Sequence, residues 1–198
     1  MEIITRGLTL EGMERTVKYV LTANVALAVA LLVAVICLFN QDKIVMQQVP
    51  GSTSTVEVGK ATMDVGSQRA ILIAVTSNLV QVNPTNAHYQ KNFLQAFLAP
   101  AVYTKISAEI DAKAKLLADQ RELGSYYFVF REHQYDPKIN KHFVIGDVHT
   151  VNAAKDTPEP YVFEYAGRVD DYRFVVEDVT SYKGDKAHNS GWLEAQKR

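Results

Sequence analysis

The residues that first invite a chemical reading are five histidines, one cysteine and a few carboxylates set among apolar neighbours. A metal site needs ligands that converge. His142 and His149 stand seven residues apart on one strand-like run, so they point to opposite faces and cannot share an ion. His133 and His142 flank a hairpin and can face each other, but no H-E-x-x-H spacing accompanies them. We expect solvated or hydrogen-bonded surface histidines. Asp147 and Glu164 interrupt otherwise apolar runs and are the candidates for a general base inside an apolar cone. Strand alternation favours an edge or solvent-facing place for both. Asp170-Asp171 has the look of an acid pair, yet adjacent strand residues diverge and the flanking runs demand a tight turn there. No G-x-S-x-G, phosphate-binding loop or glycine-rich dinucleotide turn occurs. Cys37 lies inside a long uncharged run, which leaves the rest of the chain without disulfide or thiol chemistry. The expectation is a protein with no catalytic residues, cofactor or metal.

The uncharged run itself, "VLTANVALAVALLVAVICLFN" over residues 20–40, carries more information. About 20 apolar residues at roughly 1.5 Å rise make a helix of about 30 Å, the thickness of a bilayer's hydrocarbon core. A secretion signal has a shorter apolar stretch of about 7 to 15 residues that ends in a small-x-small cleavage site. The far end here reads "VICLFNQDK", and Ile36 before Cys37 is too large for a lipidation site. We expect a retained transmembrane helix at 20–40. Arg15 and Lys18 precede it and only Lys43 follows closely, which places segment 1–19 in the cytoplasm and the remainder in the periplasm. Within the span, Thr22, Ala26, Ala30 and Ala34 recur every fourth residue as a ridge of small side chains. Such ridges let helix backbones approach closely in lipid, so we expect helix association there, with Asn24 able to hydrogen-bond a neighbour.

Of the 21 Lys and Arg and 22 Asp and Glu in the chain, three of each sign lie before Asn40, leaving 18 against 19 beyond it. A near-neutral domain draws little affinity from phosphate neutralisation, so direct nucleic-acid binding is not expected. Residues 41–65, rich in Ser, Thr, Gly and Val, read as an extended periplasmic linker. Three helical patterns follow. The first places Ile71, Leu72, Val75 and Leu79 on one face; the second, capped by Asn83 with Pro84 at its first position, carries Tyr89, Phe93, Ala96 and Phe97; the third, started by Pro100, carries Val102, Ile106, Ile110, Ala114 and Leu117, with Gly124 as its C-terminal cap. After Gly124 the period changes to two over "SYYFVFREHQY", "KHFVIGDVHTV", "PYVFEYAGRV" and "DYRFVVEDVTSY", separated by turn chemistry at "DPKIN", "NAAKDTPE" and "DD". Residues 66–182 should therefore form an α+β domain, three helices wrapped by a curved four-stranded antiparallel sheet, the cystatin-like roll of nuclear transport factor and its relatives. The tail 183–198 is polar apart from Trp192 and Leu193 and is either disordered or a partner-docking segment.

From the anchor to about Tyr182 the layout resembles the TraE family of conjugative DNA-transfer proteins, which is similar to the bitopic assembly-factor subunits of type IV secretion machines. "NPTNAHYQKNFLQAFLAP" is similar to the family's Pro/Ser-Thr helix start and Leu-rich helix ending in Pro. "YTKISAEIDAKAKLLADQRELGSYYF" is similar to its charged third helix running into a Ser-aromatic strand, "FVIGDVHT" to a strand bearing one glycine, Gly146, and "YVFEYAGRVDDYRFVVEDV" to its final hairpin. The loop "NAAKDTPE" departs from the pattern in lacking a glycine, and the tail has no clear counterpart. The resemblance implies a non-enzymatic inner-membrane scaffold subunit of a conjugative channel, assembling with copies of itself and with other type IV secretion subunits. The alternative is a membrane-tethered small-ligand-binding or isomerase-like roll. Its pocket would lie between the third helix and the sheet, lined by some of Tyr126, Phe128, Phe143, Ile145 and Tyr165, and would need a buried carboxylate.

Overall fold

The computed structural model describes residues 2–39, 45–47, 56–120, 124–152 and 154–196, and it divides into two units, Met1–Lys43 and Ile44–Arg198. In the first unit a single helix, α1, runs from Glu2 to Phe39. It begins well before the expected span, and within it Gly12–Phe39 is long and apolar enough to cross a membrane. The continuity has a local cause. Glu14 and Lys18 pair one turn apart at 3.3 Å, and the Thr16 and Thr22 hydroxyls donate back to Gly12 O and to Lys18 and Tyr19 O. No proline separates the polar start from the apolar remainder.

In the second unit β1 (Val45–Gln47) pairs antiparallel with β2 (Val56–Val58) inside the expected linker, most of whose other residues (41–44 and 48–55) lie outside the described ones. Helix α2 (Val65–Val80) starts at Asp64, whose side chain accepts from Ser67 N at 2.9 Å as an N-cap. Leu72 and Val75 are buried as expected, and Ile71 and Leu79 pack against the same core. Helix α3 is Ala87–Gln95, not a helix from Pro84. Asn83 does organise its approach: its side-chain oxygen accepts from Thr85 N and Asn86 N, which closes a turn at Pro84-Thr85-Asn86 before the helix begins. The expected stripe also faces differently. Ala87, Gln90 and Leu94 are buried, whereas Tyr89 is 78% exposed, Ala96 is exposed, and Phe93 and Phe97 are only partly covered. Gln90 turns inward because its amide donates to Gln81 O at the end of α2. Helix α4 (Pro100–Asp119) buries Ile106, Ile110 and Leu117, with Val102 and Ala114 beside them. It ends at Asp119, so Gly124 caps the start of the next strand and not this helix.

The sheet is an antiparallel meander of β3 (Ser125–Asp136), β4 (Lys141–Val151), β5 (Asp156–Asp170) and β6 (Arg173–Lys183). The β5–β6 turn is Asp171-Tyr172, one residue later than expected, both residues having positive φ (48° and 64°). Positive φ at both central positions is the type I′ geometry whose twist suits a two-residue hairpin. Tyr172 is held there by its amide, which donates to Lys60 O. The free side of β6 meets the α3–α4 junction, where Ala99 N donates to Val176 O and Val176 N to Phe97 O. Gly146 is a glycine because Phe128 lies on it: a Cβ there would sit 2.3 Å from Val129 O and 2.5 Å from the Phe128 ring.

The sheet is covered on both faces. The helices bury Phe128, Val144, Phe163, Tyr165, Phe174 and Val176 against Leu72, Val75 and Leu94. The Tyr165 hydroxyl reaches Thr76 Oγ1 at 2.7 Å, and the Thr76 hydroxyl donates to Leu72 O, so this buried polar pair is satisfied. On the other face Phe143, Ile145 and Val162 form a second cluster with Ala187 of the tail. Phe143 and Ile145 therefore do not line an inner pocket. The "HFVIG" run is apolar on both sides, and strict alternation sends its odd positions outward.

Candidate functional site

Two of the five histidines pair with each other. His133 Nε2 and His142 Nδ1 lie 3.1 Å apart, facing each other across β3 and β4 as the hairpin allowed. His142 is not a surface residue: it is 1% exposed, stacked on Tyr135 and met edge-on by Phe174. Burial pushes the pKa of both histidines down to about 4, helped for His133 by the Arg69 charge and for His142 by His133. His149, seven residues along β4 and on its opposite face, joins a different group. Its Nδ1 is 2.9 Å from both the Tyr127 hydroxyl and Asp156, and Tyr127 donates to Asp156 at 2.8 Å. Those contacts, the tyrosine first, hold the Asp156 carboxyl below its usual range. Among the described residues no group of three or more His, Cys, Asp or Glu side chains converges as a metal site.

Asp147 and Glu164 sit on the outer face of the sheet, each with a cation: Arg131 Nε lies 3.3 Å from Asp147, and Lys141 pairs with Glu164. Arg131 is the extra residue of a bulge in β3, which re-aims it at Asp147. Neither carboxylate enters the helix side of the roll. Asp170 ends β5 in an exposed cluster with Arg168, itself paired to Glu177. An acid pair is thus not assembled.

What lies between α4 and the sheet is a partly open cavity of about 500 Å³. Ile106, Ile110, Tyr126, Phe163 and Val179 line it, and Lys105 and Glu109 stand at its edge. Lys113 enters it with Nζ donating to Val80 O at 3.0 Å and resting 4.3 Å from the Tyr126 ring centre. Desolvation lowers the lysine's pKa. The pocket expected here was to be lined by some of Tyr126, Phe128, Phe143, Ile145 and Tyr165 around a carboxylate; of these Tyr126 lines the cavity, and the ionisable group that enters it is a cation. Its signal was available in "AEIDAKAKLL", where Lys113 follows Ile106 and Ile110 at helical spacing.

The tail is ordered against the sheet. Tyr182, His188 and Trp192 stack with ring centres 4.1 and 3.8 Å apart, His188 N donates to the Tyr182 hydroxyl, and Ser190 N donates to Asp136. The Ser190 bonds hold the Asp136 carboxyl below its usual range. A short helix, α5 (Ser190–Gln196), carries Trp192 half-buried and Leu193 39% exposed. In α1, Thr22, Ala26, Ala30 and Ala34 lie four apart on one helical face, all of it exposed.

Three helices on one face of a four-stranded antiparallel meander, in a chain that also holds one long apolar helix, define a cystatin-like roll of the nuclear-transport-factor kind. Among solved structures, the soluble domain of TrwG from the type IV secretion machinery of Bartonella grahamii has a TM-score of 0.51 at 8% identity, covering 61% of this chain and 96% of that one. The VirB8 protein of Agrobacterium tumefaciens has a TM-score of 0.47 at 9% identity, over 61% of this chain and 92% of that one. No curated protein matches. A model of the TraE protein family matches residues 8–181, and the chain belongs to that family.

Proposed function

We propose that the protein is an inner-membrane scaffold subunit of a conjugative type IV secretion channel, with its N-terminus in the cytoplasm and its roll in the periplasm. The observation that carries this is the span of the family match, residues 8–181, which takes in the apolar helix and all of the roll except the last two residues of β6. In this reading residues 20–40 fix the domain at the membrane, residues 41–65 set its height, and the domain 66–182 packs against copies and other secretion subunits. The carboxylates best placed to act as acids or bases are engaged by Arg131 and Lys141, which suits surface architecture more than catalysis. Many weak contacts held on one membrane reinforce each other through effective concentration. Leu193, with the open edge of Trp192, offers a docking point for a partner subunit.

The small ridge supplies the self-association. Full-length protein in mild detergent should have a protein mass of more than one chain by light scattering, and the residue 60–198 domain should associate less. Converting Ala26 and Ala30 to isoleucine should weaken association by about 1–2 kcal/mol, roughly tenfold. A mass of one chain for each of the three proteins would refute anchor-assisted assembly. The second reading, a ligand-binding or isomerase-like roll, has the cavity in its favour, but both of its carboxylate candidates lie on the opposite face of the sheet.

A further inference from the structure

We propose that the cavity between α4 and the sheet is a binding site for a small monocarboxylate with an apolar ring or short chain, its carboxylate seated on Lys113. The volume, about 500 Å³, falls in the range of small-molecule pockets, and most of the lining is aliphatic or aromatic. An apolar body therefore gains from entering it. The polar content is asymmetric. Lys113 Nζ has three donors; one goes to Val80 O and the ring face of Tyr126 takes up a second direction. Among the described residues no carboxylate lies within ion-pair distance of it, although six lysines and arginines elsewhere in the domain have one. A half-buried cation without a counterion is costly, and an anion that reaches it recovers that cost.

The charge balance also sets the ligand class. Lys105 adds a cation at the mouth, but Glu109 stands at the same mouth and opposes it. One negative charge is matched and two are not. A neutral or cationic ligand leaves Lys113 uncompensated. The inference does not depend on the scaffold reading, since a structural subunit can carry a ligand site within its roll.

The probe is 4-phenylbutyrate, added to the full-length protein in lipid nanodiscs with isoleucine δ1 methyls labelled by carbon-13. Ile106 and Ile110 line the cavity, and Ile145, on the other face of the sheet, is the internal control. The acid should move the first two methyls saturably and leave Ile145 in place. The uncharged 4-phenylbutanol should bind about tenfold more weakly or worse, as loss of a charge-assisted hydrogen bond requires. Lys113→Met keeps the aliphatic stem and should bring the acid down to the alcohol's affinity. Equal affinity for acid and alcohol in the unmodified protein would overturn the proposal without any variant. So would an unchanged affinity in Lys113→Met, or methyls that stay still up to the acid's solubility limit.

Discussion

Gly124→Ala should destabilise the domain by about 3 kcal/mol or more and lower its Tm by about 10 °C. Two independent effects meet at this residue. Its φ is +78°, a region that costs an L-residue roughly 1–2 kcal/mol. Its missing Cβ would also fall 1.7 Å from Val151 O and 2.6 Å from Val151 C. Those are backbone atoms of the partner strand, paired in register at Ser125–Val151, so no side-chain rotation relieves the clash. The strand pair would have to open at its end. Thermal unfolding followed by circular dichroism checks this; a Tm within about 2 °C of the unmodified protein would show that the β3 entry is laid out differently.

Acidification from pH 7 to pH 5 should weaken the fold by about 2–3 kcal/mol through His133 and His142. The sign follows from proton binding. In the unfolded chain both histidines titrate near 6.5, whereas in the folded domain burial holds both at about 4. Between those values the unfolded state binds more protons, so stability is complete above about pH 6.5 and falls until about pH 4. A proton added to the folded pair must sit where His142 is packed between Tyr135, Phe174 and His133, with the Arg69 charge nearby. Asp136 and Asp156 respond at lower pH, because their donors hold them below the ordinary carboxylate range. The urea midpoint should therefore fall over this window, and the double variant His133→Gln, His142→Phe should flatten the slope. An unmodified protein whose midpoint is level from pH 7 to 5 would contradict the buried pair.

Much of this architecture was legible because its signals are local. Pro100 opens α4, the change of period after Gly124 marks the sheet, and the length of the uncharged run marks a helix able to cross a bilayer. The failures share a cause in contacts distant along the chain. Helix α3 has two candidate stripes, and Gln81, nine residues before Gln90, selects the one that periodicity of apolar residues ranks lower. Strand β4 is apolar on both faces, so its sequence does not tell which set faces the helices; Phe143 and Ile145 face outward, where the tail's Ala187 covers them. The tail's sequence leaves disorder and docking both open because its order comes from Tyr182 and Asp136, which lie on the sheet. Lys113 was passed over since a lysine on a helix is ordinarily a solvated one.

The central claim is that this roll works only while held at a membrane beside its partners. The most direct measurement is the frequency of plasmid transfer from a donor lacking the chromosomal or plasmid copy of this chain. Complementation should compare the full chain with a version whose first 40 residues are replaced by a cleavable secretion signal. The account predicts that the released domain accumulates folded yet leaves transfer at the level of the empty vector. Full transfer by the unattached domain would contradict it.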